Sequence, residues 1–236
     1  MASTLFKDLF SADFIKGIEQ NLKSIDKDFN SKLFNKIIFS ETWPNQELKQ
    51  RSKTIAQAIY HSYNSDYLKG LNNLENWVSE LLKSKHKSGI EYLFLPDFIE
   101  CFGLNFEKES IQKIPLITSF ISCEFCIRPF IINNPNKLIK QMQKWSEHEN
   151  LHVRRLSSEG IRPRLPWAMQ LPELIKDPKP IFPILDNLKD DPEVYVRKSV
   201  ANNLNDISKD HPTKVLDWSK SNYNKSDLTN AIIKHA

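Results

Sequence analysis

Glycine is scarce: the 236 residues contain five, Gly17, Gly70, Gly89, Gly103 and Gly160, and no two are close together. A loop that cradles phosphates, or the turn that opens a dinucleotide fold, needs clustered glycines, because its backbone must reach positive φ and approach the ligand closely. Those nucleotide-binding classes are disfavoured, as are strand-rich folds, which spend more glycine on their turns. Cysteine is as sparse. Cys101, Cys123 and Cys126 are an odd set, too few for a disulfide framework, and the reducing cytosol is the simplest compartment. Cys123 and Cys126 form a C-x-x-C without a second pair. That spacing fits two small side chains on one helix face, and a lone pair is a weak metal or redox signal. No stretch approaches the roughly 20 apolar residues that span a bilayer. Met1 to Phe10 carries Lys7 and Asp8 and has no long apolar core, so it does not read as a secretory leader. A net charge of +4 is too mild to argue for nucleic acid by itself.

What is present is helical spacing. Glu47 to Tyr63 reads as one helix with Leu48, Ile55, Ala58 and Ile59 inward. Asn134 and Pro135 open a helix through Leu138, Ile139, Met142 and Trp145. Ser146 to Glu149 fits a capping box for a helix from Leu151 to Gly160, which Gly160 and Pro163 stop. Asp191 as N-cap, with Pro192 in the first turn, starts a helix whose stripe is Val196, Val200, Leu204 and Ile207. His211 and Pro212 precede one holding Val215, Leu216 and Trp218, and Asn230 to Ala236 reads as a helix stopped in progress.

One segment echoes another. His152-Val153-Arg154-Arg155 returns as Tyr195-Val196-Arg197-Lys198, 43 residues later, each copy starting a helix after an acidic, turn-like stretch. That period falls in the roughly 40–47-residue range of two-helix HEAT and armadillo units. The expectation is an all-α, right-handed solenoid of HEAT-like helical hairpins with a concave face. One such domain spans 1–236, its motifs lying within about 107–220.

Arginine is placed unevenly. Of seven, Arg51, Arg128, Arg154, Arg155, Arg162, Arg164 and Arg197, four fall between 154 and 164, while the other basic residues are 26 lysines. Arginine offers a fixed fork of donors suited to phosphate. Lining a concave groove, these side chains would track a nucleic-acid backbone. The alternative is a solvated face with local ion pairs, such as Arg155 with Glu159. In the same window, Ser158-Glu-Gly-Ile-Arg-Pro-Arg-Leu-Pro-Trp167 sets one carboxylate before a basic turn stiffened by Pro163 and Pro166 and ending in an aromatic. Glu amid arginines beside such a Trp is a site candidate.

The stretch from His152 to Trp167 resembles the signature of the AlkC branch of the HEAT-like-repeat alkylpurine DNA glycosylases. Glu124-Phe-Cys-Ile-Arg-Pro-Phe130 is similar to that branch's upstream acidic motif, and Tyr195 to Asp206 to its third. The resemblance is specific over about 120–218 and diffuse before it. It implies hydrolysis of the N-glycosidic bond of cationic N-alkylated bases such as 3-methyladenine in duplex DNA, without full base flipping. Carried over by motif, Glu159 is the catalytic acid residue, Glu124 the second carboxylate, Asp206 a further one and Trp167 the aromatic at the sugar or base. Arg154, Arg155, Arg162 and Arg197 take basic positions at the lesion or backbone, and Arg164 and Lys198 extend that DNA-binding set. Fuller members continue with more repeat, some with an immunoglobulin-like domain. The partner implied is double-stranded DNA carrying alkylated bases; no metal or organic cofactor is implied, and a monomer associated with the cytoplasmic nucleoid is expected.

These residues suit that chemistry. An N3-alkylated adenine is already cationic and leaves without a protonated acid; the sugar, which gains positive charge, is what a nearby carboxylate stabilises. Each site candidate also has a plainer reading: Glu124 pairs with Arg128, Asp206 ends its helix or pairs with a lysine, and Trp167 packs in the core. Two competing classes remain from the residues alone: a non-enzymatic HEAT-repeat scaffold, in which Glu159 is replaceable, and a binder of DNA structures.

Overall fold

In the computed structural model, residues 5–235 are described, and helix is the regular structure among them. Residues 1–4 and 236 lie outside, and with them the start of the segment read against a leader and the last residue of the stretch read from Asn230 to Ala236. The chain divides into two compact units, 1–121 and 122–236.

The first unit holds α1 (Ala12–Ile25), α2 (Ser31–Ile38), α3 (Leu48–Ser62), α4 (Tyr67–Lys83), α5 (Phe94–Phe102) and α6 (Glu107–Phe120). Ser11, Asn30 and Asp66 cap α1, α2 and α4 by accepting from a backbone N–H three residues on, which satisfies donors the first turn leaves orphaned. Packing runs α1 on α4, α2 on α3, α3 on α5 and α4 on α6. The helix expected from Glu47 to Tyr63 is α3, with Ile55, Ala58 and Ile59 buried and Leu48 half-buried. Gly70 is where α4 meets a ring: a Cβ there would lie 2.6 Å from the Phe98 side chain.

Asp97 of α5 is buried, and Ser52 Oγ donates to its Oδ2 at 2.5 Å. Burial pushes this carboxyl from 3.8 up to about 6, against the Ser52 hydrogen bond and with Glu100's charge adding to the rise. The folded state therefore holds this proton more tightly than the unfolded chain. Asp97 costs stability as pH rises from about 4, and above about 6 the cost is complete. Asp97→Asn is expected to raise stability at pH 7 by about 1–3 kcal/mol and to flatten the change in unfolding midpoint between pH 4 and 6. A variant that tracks the wild-type midpoint across that range contradicts the assignment.

The second unit holds α7 (Arg128–Asn133), α8 (Pro135–Trp145), α9 (Leu151–Glu159), α10 (Pro172–Lys176), α11 (Phe182–Leu188), α12 (Val194–Ser208), α13 (Pro212–Asn222) and α14 (Asp227–His235). Helices α8 and α9 pack as one pair and α11 and α12 as the next, with α9 laid against α12. The stripe Val196, Val200, Leu204 and Ile207 is buried, as are Leu138, Met142 and Trp145 of α8. The 43-residue echo has a structural counterpart. Arg154 donates to the carbonyls of His148 and Glu149, and Arg197 to those of Asp191 and Pro192. Each arginine folds back from the first turn of its helix onto carbonyls five and six residues earlier.

Several local expectations are corrected. Helix α12 begins at Val194 with Glu193 as N-cap, not at Asp191, whose carboxylate binds Arg154 and accepts from the Glu193 N–H. No capping box forms from Ser146: Asn150 caps α9, while the Ser146 hydroxyl donates to the Gln143 carbonyl and accepts from Asn187. Cys123 and Cys126 sit buried in the turn before α7 rather than on a helix face, neither joined in a disulfide.

Candidate active site

Helix α9 places Arg155 and Glu159 one turn apart on one face and then stops, so Glu159 is its last residue. A carboxylate there meets the negative end of the helix and is disfavoured unless cations answer it. Two do. Arg162 Nη1 donates to Glu159 Oε1 at 2.7 Å, and Arg155 Nη2 lies 3.4 Å from the same oxygen. Ser199 Oγ of α12 donates to Oε2 at 2.6 Å. Asp206, in the last turn of α12, repeats the arrangement: Arg162 Nε donates to Oδ2 at 2.9 Å and Lys209 pairs with Oδ1 at 3.0 Å. Arg162 thus bridges Glu159 and Asp206. Arg155 bridges Glu159 and Glu124, and Ser122 Oγ donates to the Glu124 carboxylate at 2.7 Å. Glu159, Asp206 and Arg162 are buried; Glu159 is 4% exposed. Burial works against the Arg162 charge, but Asp206 and Glu159 outweigh it and raise its pKa.

All three predicted carboxylates are therefore brought together in one unit, joined by two arginines. The alternative Glu124–Arg128 pair does not form as such: Glu124 takes Arg155, and Arg128 binds backbone carbonyls instead. Nor are the arginines an open row. Arg154 forks onto Asp191 at 2.6 and 3.2 Å, and Arg164 onto Asp210 at 2.8 Å for both bonds. Lys198 differs, being exposed with no ion pair among the described residues.

Trp167 lies outside the core. It is 80% exposed and has φ of 65°, in the left-handed region that L side chains rarely adopt. Its large apolar ring is thus mostly exposed on a backbone conformation that costs energy to hold.

Four contributors escaped the reading of the sequence. Ser122 and Ser199 carried no local signal. Arg128 was weighed as a partner for Glu124 alone. Tyr195 was seen as part of the echo, yet its half-exposed ring lies 4.9 Å from the Arg155 guanidinium and edge-on to His152. Burial, with Arg155's charge, lowers the His152 pKa; burial raises that of Tyr195. Among the described residues, no group of three or more His, Cys, Asp and Glu is arranged to hold a metal, and no helix is long and apolar enough to cross a membrane.

Stacked helix pairs with carboxylates and arginines gathered along α9 and α12 define a helical-repeat protein with a buried ionic site. Residues 112–236 match the family model described as DNA alkylation repair enzyme, and the chain belongs to that family. It is 35% identical to the Pseudomonas fluorescens alkylpurine DNA glycosylase AlkC, in a structure bound to DNA containing an abasic site analog. The TM-score is 0.90, over 99% of this chain and 63% of that one. The uncharacterized protein YhaZ of Bacillus subtilis (strain 168) is 39% identical over 230 residues, 98% of this chain and 63% of its own length. This chain thus spans a little under two thirds of either relative. AlkD2 from Streptococcus mutans, at 22% identity and TM-score 0.58 over 89% of this chain and 96% of that one, shares the fold. The resemblance to the AlkC branch read from the three motifs agrees with these likenesses.

Proposed function

We propose that this chain is a DNA glycosylase that hydrolyses the N-glycosidic bond of cationic N-alkylated bases, such as 3-methyladenine, in double-stranded DNA. The observation that carries the reading is the Glu159 carboxylate, held by Arg162, Arg155 and Ser199 with Asp206 and Glu124 one arginine away on either side. Glu159 stabilises the positive charge that grows on the sugar and orients the attacking water. Asp206 and Glu124 keep Arg162 and Arg155 oriented and add negative potential. Because the leaving base is already cationic, no acid is required of the protein, and neutral bases are poor leaving groups. Trp167 lays its π face against the sugar or the cationic base. Lys198, Arg197, Arg164 and Arg154 meet the phosphate backbone, and Arg155 exchanges part of its carboxylate pairing for contact at the lesion.

A second reading has one observation in its favour: both Glu159 oxygens are already engaged, as in a structural ion-pair network. The protein would then bind DNA without cutting it. Incubation with methylated duplex DNA separates the readings. Release of free methylated base by the wild type is expected; DNA retention without release supports the binder, and no DNA binding even at low salt supports a scaffold. Trp167→Ala is expected to lower base release by about 10–100-fold with an unchanged unfolding midpoint, since the ring is mostly in solvent. An equal rate in that variant removes Trp167 from the site.

A further inference from the structure

The turn that carries Trp167 hangs from a residue too deep to touch a substrate. Arg128, the first residue of α7, is fully buried, 0% exposed. Its Nε donates to the Met169 carbonyl at 2.6 Å, and its Nη1 to those of Gly160 at 3.0 Å and Arg162 at 2.9 Å. Gly160 and Arg162 lie on the incoming limb of the turn and Met169 on the outgoing one, with Trp167 between them. One planar, rigid fork thus ties both limbs together.

Arg162 also ties the incoming limb to Glu159 and Asp206. The Leu171 N–H donates to the Pro163 carbonyl at 3.2 Å, and the Arg164–Asp210 pair stands in solvent, where ion pairs hold little. The incoming limb presses on the residue before Arg128: a Cβ on Gly160 would lie 2.9 Å from the Ile127 side chain. Arg128 is also costly to keep. Its Nη2 has no hydrogen-bond partner among the described residues, and a buried guanidinium with an unmet donor works against stability. An apolar side chain would fill the space with less penalty but could not bond three carbonyls.

We propose that Arg128 is a positioning residue, which fixes the Trp167 indole in the pose where it meets the lesion. The catalytic consequence rests on the glycosylase reading; the mechanical one does not. A double-mutant cycle tests the first. Arg128→Lys is expected to slow single-turnover base release by about 10-fold when Trp167 is present and by less than about 2-fold in a Trp167→Ala background. The same factor in both backgrounds overturns the proposal.

Fluorine NMR of protein labelled with 5-fluorotryptophan tests the second without DNA, the Trp167 signal being assigned through Trp167→Phe. In the wild type that signal is expected to relax like those of the buried Trp145 and Trp218, and in Arg128→Lys to sharpen into that of a mobile ring. A mobile Trp167 in the wild type overturns the proposal whether or not the lysine variant folds, and whether or not the protein releases a base.

Discussion

Glutamine at position 159 is expected to slow the release of a cationic base by at least about 100-fold, the scale seen when one preorganised electrostatic group is removed from a transition state. The substitution is nearly isosteric. Its amide oxygen still accepts from Arg162, and its amide nitrogen donates to the Ser199 hydroxyl in place of the bond that Ser199 now gives. What disappears is the charge. Arg162 and Arg155 keep Asp206 and Glu124 as partners, so the variant is expected to fold. On the glycosylase reading, removing this negative charge leaves affinity for DNA equal or slightly higher at a given salt concentration. A lower rate together with retained binding assigns Glu159 to the chemical step; a lower rate that follows weaker binding does not. Unaltered release in the Glu159→Gln protein contradicts the role.

Arg162→Leu is the substitution with the largest expected effect on stability. Arg162 is the shared partner of two buried carboxylates, Glu159 and Asp206, each at the C-terminal end of its helix. Deleting the cation from a buried pair costs about 3–5 kcal/mol, because a charge is left without its partner. Two carboxylates lose a guanidinium here, though Arg155 and Lys209 remain beside them. The drop should register in the urea or thermal unfolding of the second unit. Arg164, two residues on, supplies the control: it pairs with Asp210 in solvent, and Arg164→Leu is expected to change stability little. Equal effects of the two leucines would mean that the buried network contributes no more than a surface pair.

The contrast between those arginines marks where reading the sequence stopped. Its helices were legible wherever an apolar stripe repeated at helical spacing, as from Val196 to Ile207, or where Pro135 and Pro212 opened a first turn. The 43-residue echo also marked a real repeat, since Arg154 and Arg197 clamp equivalent carbonyls. Two expected caps failed for one reason: the Asp191 carboxylate and the Ser146 hydroxyl are taken by Arg154 and Asn187, 37 and 41 residues away. The window of arginines was visible, and its partners were not. Glu124, Asp206 and Asp210 lie 31, 44 and 46 residues from Arg155, Arg162 and Arg164, and Ser199 lies 40 from Glu159. All but the first of these spacings are close to one repeat. Bonds of that reach exist only once α9 and α12 are stacked, so residue-by-residue patterns at three or four positions cannot show them. Trp167 is the reverse case. Its neighbours Pro163 and Pro166 announced a stiff turn, but a Trp is buried more often than not, and the ring's position in solvent had to be seen.

The central claim is that residue 159 supplies negative charge where the sugar becomes positive. It is tested most directly by comparing affinities for two duplexes that differ at one abasic position, a protonated pyrrolidine in one and a neutral tetrahydrofuran in the other. The pyrrolidine carries the charge of the transition state, the tetrahydrofuran only its shape. The wild type is predicted to bind the cationic duplex at least about 10-fold more tightly, a difference of about 1.4 kcal/mol, and Glu159→Gln to lose that preference. Equal affinity of the wild type for both duplexes, or a preference that survives the glutamine, would contradict the account.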